Sequence, residues 1–170
     1  MATTLLTLAA LSLDAPTLWP APARSTSGKV VVYLTPGEDF FVAANAGAGG
    51  PLLKQAFARY AALTFPHSVT TEGLLSALQV SVENPDESHP QFGVDESYAL
   101  DISTRSAATL RAKTVFGALR GLETFSQLVT FDFESETYAI AAAPWSIRDK
   151  PRFEHRGLMI DTARHFQPLA

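Results

Sequence analysis

The sequence contains no cysteine, which excludes disulfide bonds and thiolate metal sites. It is also poor in positive charge, because 13 Lys and Arg against 17 Asp and Glu give a net charge of −4. Proteins that bind nucleic acid need a basic surface for the phosphates, so this balance argues against a nucleic-acid partner. The composition otherwise fits a globular protein with a real core, since 46% of the 170 residues are hydrophobic and 18% are charged.

Long hydrophobic runs are absent as well. The apolar stretch between Leu5 and Leu13 is too short to span a membrane, so no integral membrane segment is expected. Its length suits the apolar region of a signal peptide, but no Lys or Arg precedes it and no small-x-small cleavage site follows. Residues 1–15 are therefore interpreted as a signal or a disordered leader. A secreted or lysosome-like destination and a truncated start are open alternatives.

Sequence motifs for a serine nucleophile and for the common cofactors are missing too. There is no Gly-x-Ser-x-Gly elbow, no P-loop and no dinucleotide fingerprint, so no cofactor is predicted. His155, Asp161 and His165 lack the tight spacing and the reliable third ligand of a metal site, which favours structural histidines over a metal centre. The adjacent acidic pairs at 86–87 and 95–96 lack the apolar surroundings that raise the pKa of a catalytic carboxyl, so both are interpreted as solvated surface.

Hydrophobic periodicity predicts the local structure. Alternating or β-branched stretches predict five strands, the last of them an edge strand: 30–34, 78–82, 98–102, 109–114 and 138–143. The strands at 98–102 and 109–114 are predicted to pair antiparallel. Helical spacing predicts two helices, at 52–65 and at 114–129, with Thr114 as the N-cap of the second. Consecutive strands with helices packed on one face indicate an α+β domain rather than a doubly wound sheet.

The second predicted helix contains two glycines, Gly117 and Gly121. Each costs roughly 1 kcal/mol relative to alanine inside a helix, which suggests that another backbone passes close by. Arg120 and Glu123 lie three residues apart on the same helix and are predicted to form a solvated pair.

The end of the chain carries the strongest chemical signal. An apolar run at 157–160 has Arg156 before it and Asp161, Arg164 and His165 after it. Such a run predicts a buried strand, and charges at both of its ends are costly unless paired, so they indicate a site or an ion-pair network. Asp161 and Arg164 are predicted to form an ion pair that positions the loop. Because a buried strand needs neighbours on both sides and nothing follows this one, we expect the chain to be the front part of a larger protein.

Several segments together resemble a known enzyme family. HRGL at 155–158, followed by DTARH at 161–165, is similar to the first barrel strand of the β-N-acetylhexosaminidases, glycoside hydrolase family twenty. TVFGALRGLETFSQLV at 114–129 resembles the helix that closes the N-terminal domain of that family. DESYAL at 95–100 resembles a strand that precedes this helix, and with WPAP at 19–22 the segments extend over most of the chain in the family's order.

The resemblance implies a fold and a division into domains. Residues 16–143 would form an α+β domain, an antiparallel sheet covered on one face by two helices. Residues 144–151 would be a linker, and residues 152–170 would begin a truncated (β/α)8 barrel.

The resemblance also implies a binding residue. Arg156 would hydrogen-bond hydroxyl groups of the terminal sugar, a task suited to a guanidinium because its planar fork of donors never deprotonates. Barrel sites lie at the carboxyl ends of strands, so geometry alone ranks Asp161 and Arg164 first, whereas the resemblance ranks Arg156 first. Asp161, Arg164 and His165 are therefore expected to support the site.

The implied activity is exo-removal of terminal N-acetylglucosamine or N-acetylgalactosamine from glycans or glycolipids. In the family, the substrate's acetamide oxygen attacks the anomeric carbon, a Glu protonates the leaving oxygen and an adjacent Asp orients the acetamide. The family's His-x-Gly-Gly-Asp-Glu motif is missing here, so the chain holds no catalytic residue and is predicted to be inactive alone. The complete enzyme could form a homodimer. The alternative is a non-catalytic accessory module that docks on a separate barrel or on a glycan.

Overall fold

A computed structural model describes residues 15–69 and 72–166, so the predicted leader at 1–15 lies outside the described residues except for Ala15. Within them the chain forms two α-helices and a seven-stranded sheet. In chain order the elements are β1 (Arg24–Leu34), β2 (Phe41–Ala43), α1 (Pro51–Thr64), β3 (Ala77–Asn84), β4 (Tyr98–Ile102), β5 (Ala107–Thr114), α2 (Val115–Leu128), β6 (Val129–Asp132) and β7 (Thr137–Asp149). Neither helix has the length and apolar character needed to cross a membrane, a statement that covers the described residues alone.

The sheet is mixed, with the strand order β1-β7-β4-β5-β3-β2 and with β6 beside β7. β7 pairs antiparallel with β1, β4 and β6, and β4 pairs antiparallel with β5. The predicted antiparallel pairing of β4 with β5 is therefore confirmed. β3, however, runs parallel to both β5 and β2, so the prediction of an antiparallel sheet is wrong for this side. The reason lies in the connections, because parallel neighbours need a long crossover and α1 supplies one between β2 and β3.

One face of the sheet is buried under both helices. Every second residue of β3, β4 and β5 points into this core, as the alternation predicts. The buried residues of these strands include Leu78, Val80, Val82, Tyr98, Leu100, Ile102, Ala108, Leu110 and Ala112. The ring centroid of Phe41 lies 6.3 Å from that of Phe57 in α1 and 5.9 Å from that of Phe125 in α2, so both helices cover the same face. Both predicted helices are confirmed, and Thr114 caps α2 by accepting from the N–H of Gly117 at 3.3 Å.

β7 is an embedded strand, whereas the sequence predicts an edge strand at 138–143. It lies between β1 on one side and β6 and β4 on the other. Residues 144–149, predicted to belong to a linker, continue this strand. Both of its edges are paired, and Ala142, with a φ of 54°, interrupts the regular extended backbone. The second half of the strand does alternate, because Trp145 and Ile147 are buried whereas Ser146 and Arg148 are more exposed. Pro144 and Pro151 enclose this stretch, and prolines at such positions favoured the linker prediction.

Residues 157–160 do not form the predicted buried strand. They have no regular structure, and Leu158 and Met159 are 87% and 84% exposed. A strand is stabilised by hydrogen bonds to its neighbours, and no strand among the described residues pairs with this segment. The apolar side chains therefore face solvent.

Candidate functional site

The loop before β4 and the start of α2 fix the position of Glu96. The hydroxyl of Thr114 donates to the carbonyl of Asp95 at 2.5 Å, and the carboxylate of Asp95 accepts from the backbone N–H of Ser97 at 2.8 Å. α2 approaches this loop closely at Gly117, where a Cβ would lie 2.4 Å from the carbonyl oxygen of Ser97. These contacts hold the backbone on both sides of Glu96.

The Glu96 carboxylate lies between two arginines. Its Oε1 accepts hydrogen bonds from Nε and Nη2 of Arg120 at 2.9 and 2.7 Å, and its Oε2 pairs with Nη2 of Arg156. The side chain of Glu96 is only 13% exposed. Burial by itself would raise the pKa of Glu96, but the hydrogen bonds and charges of the two guanidinium groups outweigh it and hold that pKa below its ordinary value. Glu96 is therefore ionised at neutral pH.

The contacts of Glu96 and Arg120 differ from the sequence-based predictions in two respects. The prediction of solvated surface at 95–96 is wrong for Glu96, which is mostly enclosed, whereas the Asp95 side chain is 41% exposed. Arg120 turns toward Glu96 instead of pairing with Glu123, which accepts from the hydroxyl of Tyr60 at 2.9 Å. Burial, followed by this hydrogen bond, raises the pKa of Tyr60 to about 12. A pattern of neighbours on one helix could not identify ion-pair partners that lie 24 and 60 residues from Glu96.

Arg156 lies at the edge of this cluster, on the segment that follows β7. Its Nη1 donates to the carbonyl of Phe153 and its Nη2 to Glu96. A guanidinium has further N–H donors, and the side chain is 39% exposed. Arg156 and its neighbours over 155–159 line a shallow, open depression. The remaining donors are therefore accessible to a polar ligand.

Asp161 and Arg164 form the predicted ion pair, with 2.5 Å between Oδ2 and Nε. Oδ1 of Asp161 accepts from the backbone N–H groups of Ala163 and Arg164 at 3.0 and 3.1 Å, which closes a turn. The backbone and guanidinium of Arg164 hold the pKa of Asp161 below its ordinary value. His165 is exposed. Among the described residues no hydrogen bond or ion pair joins these side chains to Arg156, so the four predicted site residues are not brought together.

Glu87, predicted to be solvated, serves the start of α1. Its carboxylate accepts from the backbone N–H groups of Leu52 at 3.0 Å and Leu53 at 3.4 Å. The N-cap residue of α1 is Gly50, which has no side chain for this purpose, and this lack of a cap was the available signal in the sequence.

In the part of the chain that the structure describes, no three His, Asp or Glu side chains are placed to hold a metal ion.

A second charged cluster, which the sequence did not reveal, lies on the open face of the sheet. Asp101 accepts from both Nη atoms of Arg148 at 2.9 Å, from Arg111 at 2.9 Å and from the hydroxyl of Ser146 at 2.8 Å. The two arginines reach it diagonally, because Asp101 lies opposite Thr109 in β5 and opposite Ser146 in β7. This cluster joins three strands, and only knowledge of the register could have predicted it.

Residues 18–128, which include Glu96 and Arg120 but not Arg156, match the glycoside hydrolase family twenty model described as beta-acetyl hexosaminidase like. The chain belongs to this family.

Curated β-hexosaminidases are similar along most of the chain. Beta-hexosaminidase 1 of Arabidopsis thaliana is 42% identical over 172 residues, which cover 91% of this chain and 32% of the relative. Beta-hexosaminidase subunit beta of Mus musculus is 40% identical over 184 residues, which cover 97% of this chain and 33% of the relative. The X-ray structure of Flavobacterium johnsoniae chitobiase has a TM-score of 0.60 at 27% identity, covering 90% of this chain and 23% of that one. The chain thus spans about a third of the length of these curated relatives.

Proposed function

We propose that this chain provides the N-terminal part of an exo-β-N-acetylhexosaminidase, in which Arg156 contacts hydroxyl groups of a terminal N-acetylhexosamine. The observation that carries the proposal is the partly exposed side chain of Arg156, whose guanidinium has N–H donors beyond those bound to Phe153 and Glu96. A planar, permanently charged donor group suits the hydroxyls of a sugar. Membership of the β-hexosaminidase family supports the substrate class, N-acetylglucosamine or N-acetylgalactosamine at the ends of glycans or glycolipids.

The proposal includes a division of the chain. The α+β domain would extend from residue 16 to the end of β7, and residues 152–170 would begin a catalytic (β/α)8 barrel. The exposed apolar side chains at 157–160 support this division, because a barrel strand would bury them against its neighbours. The ion pair of Asp161 with Arg164, and His165, would then lie at the carboxyl end of that strand, where they would support the site.

The groups that break the bond would come from other parts of the complete enzyme. The substrate-assisted retaining reaction needs an acid for the leaving oxygen and a carboxylate that orients the acetamide, whose oxygen attacks the anomeric carbon. This chain carries no His-x-Gly-Gly-Asp-Glu motif to supply that pair. Its own share of the reaction would be to bind and orient the sugar, so we expect the 170-residue chain alone to be inactive.

A chimera tests this proposal. The 170 residues replace the aligned N-terminal third of the Arabidopsis relative, and chromophore release from an aryl β-N-acetylglucosaminide is measured. The chimera is expected to turn over, and the chain alone to match a buffer blank. Arg156→Ala in the chimera is expected to lower kcat/KM by about 10- to 100-fold, the loss of a charged hydrogen bond.

Arg152 provides the matched control for this experiment. It belongs to the same segment, and its guanidinium carbon lies 5.6 Å from the ring centroid of Phe153. Arg152→Ala is expected to leave kcat/KM near that of the parent chimera. Turnover by the chain alone, or equal activities of the Arg152→Ala and Arg156→Ala chimeras, would refute the proposal.

A stand-alone accessory module would bury its apolar segments, whereas Leu158, Met159 and Phe166 are almost fully exposed here, which disfavours that hypothesis. The proposal also allows a homodimer of the complete enzyme. Sedimentation of the active chimera measures this directly, and a monomeric active species would exclude it.

A further inference from the structure

We infer that Glu96 is the positioning residue for Arg156. Through Glu96, the α+β domain holds the Arg156 guanidinium in the orientation in which it contacts the terminal sugar. This inference deepens the sugar contact proposed above and rests on it. The inference is based on the two oxygens of the Glu96 carboxylate having different partners, because Oε1 binds Arg120 and Oε2 binds Arg156. Within residues 15–69 and 72–166, no other side chain hydrogen-bonds to the Arg156 guanidinium.

Glu96 is an anchor with little freedom of its own. Arg120, on α2, donates two N–H groups to Oε1 at 2.9 and 2.7 Å, and these charge-assisted bonds hold that oxygen in place. The bond from the Thr114 hydroxyl to the Asp95 carbonyl ties the adjoining backbone to the first turn of the same helix. Because the Glu96 side chain is mostly enclosed, few alternative rotamers are open to it.

Arg156 needs such an anchor. It lies in a segment without regular structure, and arginine loses much rotamer freedom when it is ordered. A binding group that must be ordered at each binding event weakens affinity, whereas a group already held in place does not. Because Glu96 binds Nη2 and the carbonyl of Phe153 binds Nη1, the other N–H groups of Arg156 are presented in one fixed direction.

A purely structural role for Glu96 makes different predictions. A carboxylate that only fastens α2 to the loop before β4 would act through Arg120, and its loss would lower stability without changing sugar affinity selectively. A positioning residue acts on the ligand only through Arg156. Glu96→Gln preserves the shape of the side chain and removes its charge, and the two roles then differ in whether its effect on sugar affinity requires Arg156.

The first measurement uses the 170-residue chain itself, labelled with nitrogen-15. The guanidinium resonances of Arg156 and Arg164 are followed by NMR, and Arg164, paired with Asp161, serves as an internal control. Glu96→Gln is expected to shift and broaden the Arg156 signal and to leave the Arg164 signal unchanged. An unchanged Arg156 signal would overturn the inference whatever the activity of any chimera.

The second measurement uses the chimera with the Arabidopsis relative. Glu96→Gln is expected to raise KM by about tenfold with little change in kcat, the size expected when one long side chain must be ordered on binding. In an Arg156→Ala background the same substitution is expected to have no further effect. An equal effect in both backgrounds would overturn the inference and assign Glu96 to stability, which thermal unfolding of each variant reports independently. An Arg156→Ala chimera with unchanged kcat/KM would instead refute the sugar contact, and the proposed function with it.

Discussion

The carboxylate of Glu87 accepts a hydrogen bond from the backbone N–H of Leu52 at 3.0 Å, and so caps α1 from a loop 35 residues away in sequence. Glu87→Ala removes this acceptor, and the loss of such a cap costs about 1 kcal/mol. We expect urea denaturation to show a correspondingly lower free energy of unfolding. Glu38→Ala, at an exposed glutamate in the turn before β2, is the matched control. Equal losses for the two variants would contradict the capping role.

Gly117 and Gly121, both in α2, are expected to respond differently to alanine. At Gly117 a Cβ would lie 2.4 Å from the backbone carbonyl oxygen of Ser97, whereas at Gly121 it would lie 2.2 Å from the Cδ1 of Leu110, the end of a flexible side chain. Alanine is favoured in a helix by about 1 kcal/mol, but overpacking costs about 1–3 kcal/mol. Gly117→Ala should therefore lower the Tm more than Gly121→Ala. The reverse order would mean that the backbone at Ser97 shifts easily to make room for the added Cβ.

The Asp101 cluster is expected to make stability depend on acid pH. Partial burial by itself would raise the pKa of Asp101. This effect is outweighed by hydrogen bonds from Arg148 and Ser146 and by the charges of Arg148 and Arg111, so the pKa lies below its ordinary value of 3.8. The stabilisation is therefore complete above that value and is lost as pH falls through the lower folded-state pKa.

Asp101→Asn measures this contribution. Its free energy of unfolding at neutral pH should be lower by roughly 1 kcal/mol, a modest value because the arginines are half exposed. The difference from the parent should shrink as the pH is lowered below 3.8. Asp39→Asn, at an exposed turn residue, is the control, and a pH-independent difference for Asp101→Asn would contradict the assignment.

Residues 157–160 are expected to exchange their amide hydrogens rapidly, because no strand protects them. The amides of β7 should be protected, since they lie within backbone ladders on both sides. Hydrogen-exchange mass spectrometry of the chain resolves the two segments. Protection of 157–160 equal to that of β7 would contradict the structure and favour a self-contained accessory module.

Sequence patterns succeeded where an element has one buried and one wet face. β3, β4, β5, α1 and α2 have this property, so their apolar residues repeat with the period of the element. The first half of β7 carries small alanines and is buried without a regular period. Its second half does alternate, with Trp145 and Ile147 buried, but Pro144 and Pro151 at its ends favoured a linker. The parallel pairing of β3 was also beyond reach, because strand order is a property of the fold and not of any local segment.

The candidate site was predictable only in part. Arg156 stood out through its resemblance to a family motif, and the pairing of Asp161 with Arg164 was predicted because charges at the end of an apolar run are costly unless paired. Glu96 could not be found, because its partners come from α2 and from the segment after β7. The spacing of Gly117 and Gly121 indicated a close backbone, which is present at Gly117, whereas Gly121 meets the side chain of Leu110.

The double flanking of β7 has a mechanical consequence. The segment that bears Arg156 leaves the sheet from the end of this strand at Asp149, where β1 and β4 grip it from opposite sides. Tension along the chain beyond Asp149 would load both ladders in shear, so that many hydrogen bonds would have to rupture together instead of unzipping one by one. The sheet therefore resists displacement of the segment that follows Asp149 when this segment is pulled by a bound ligand or domain.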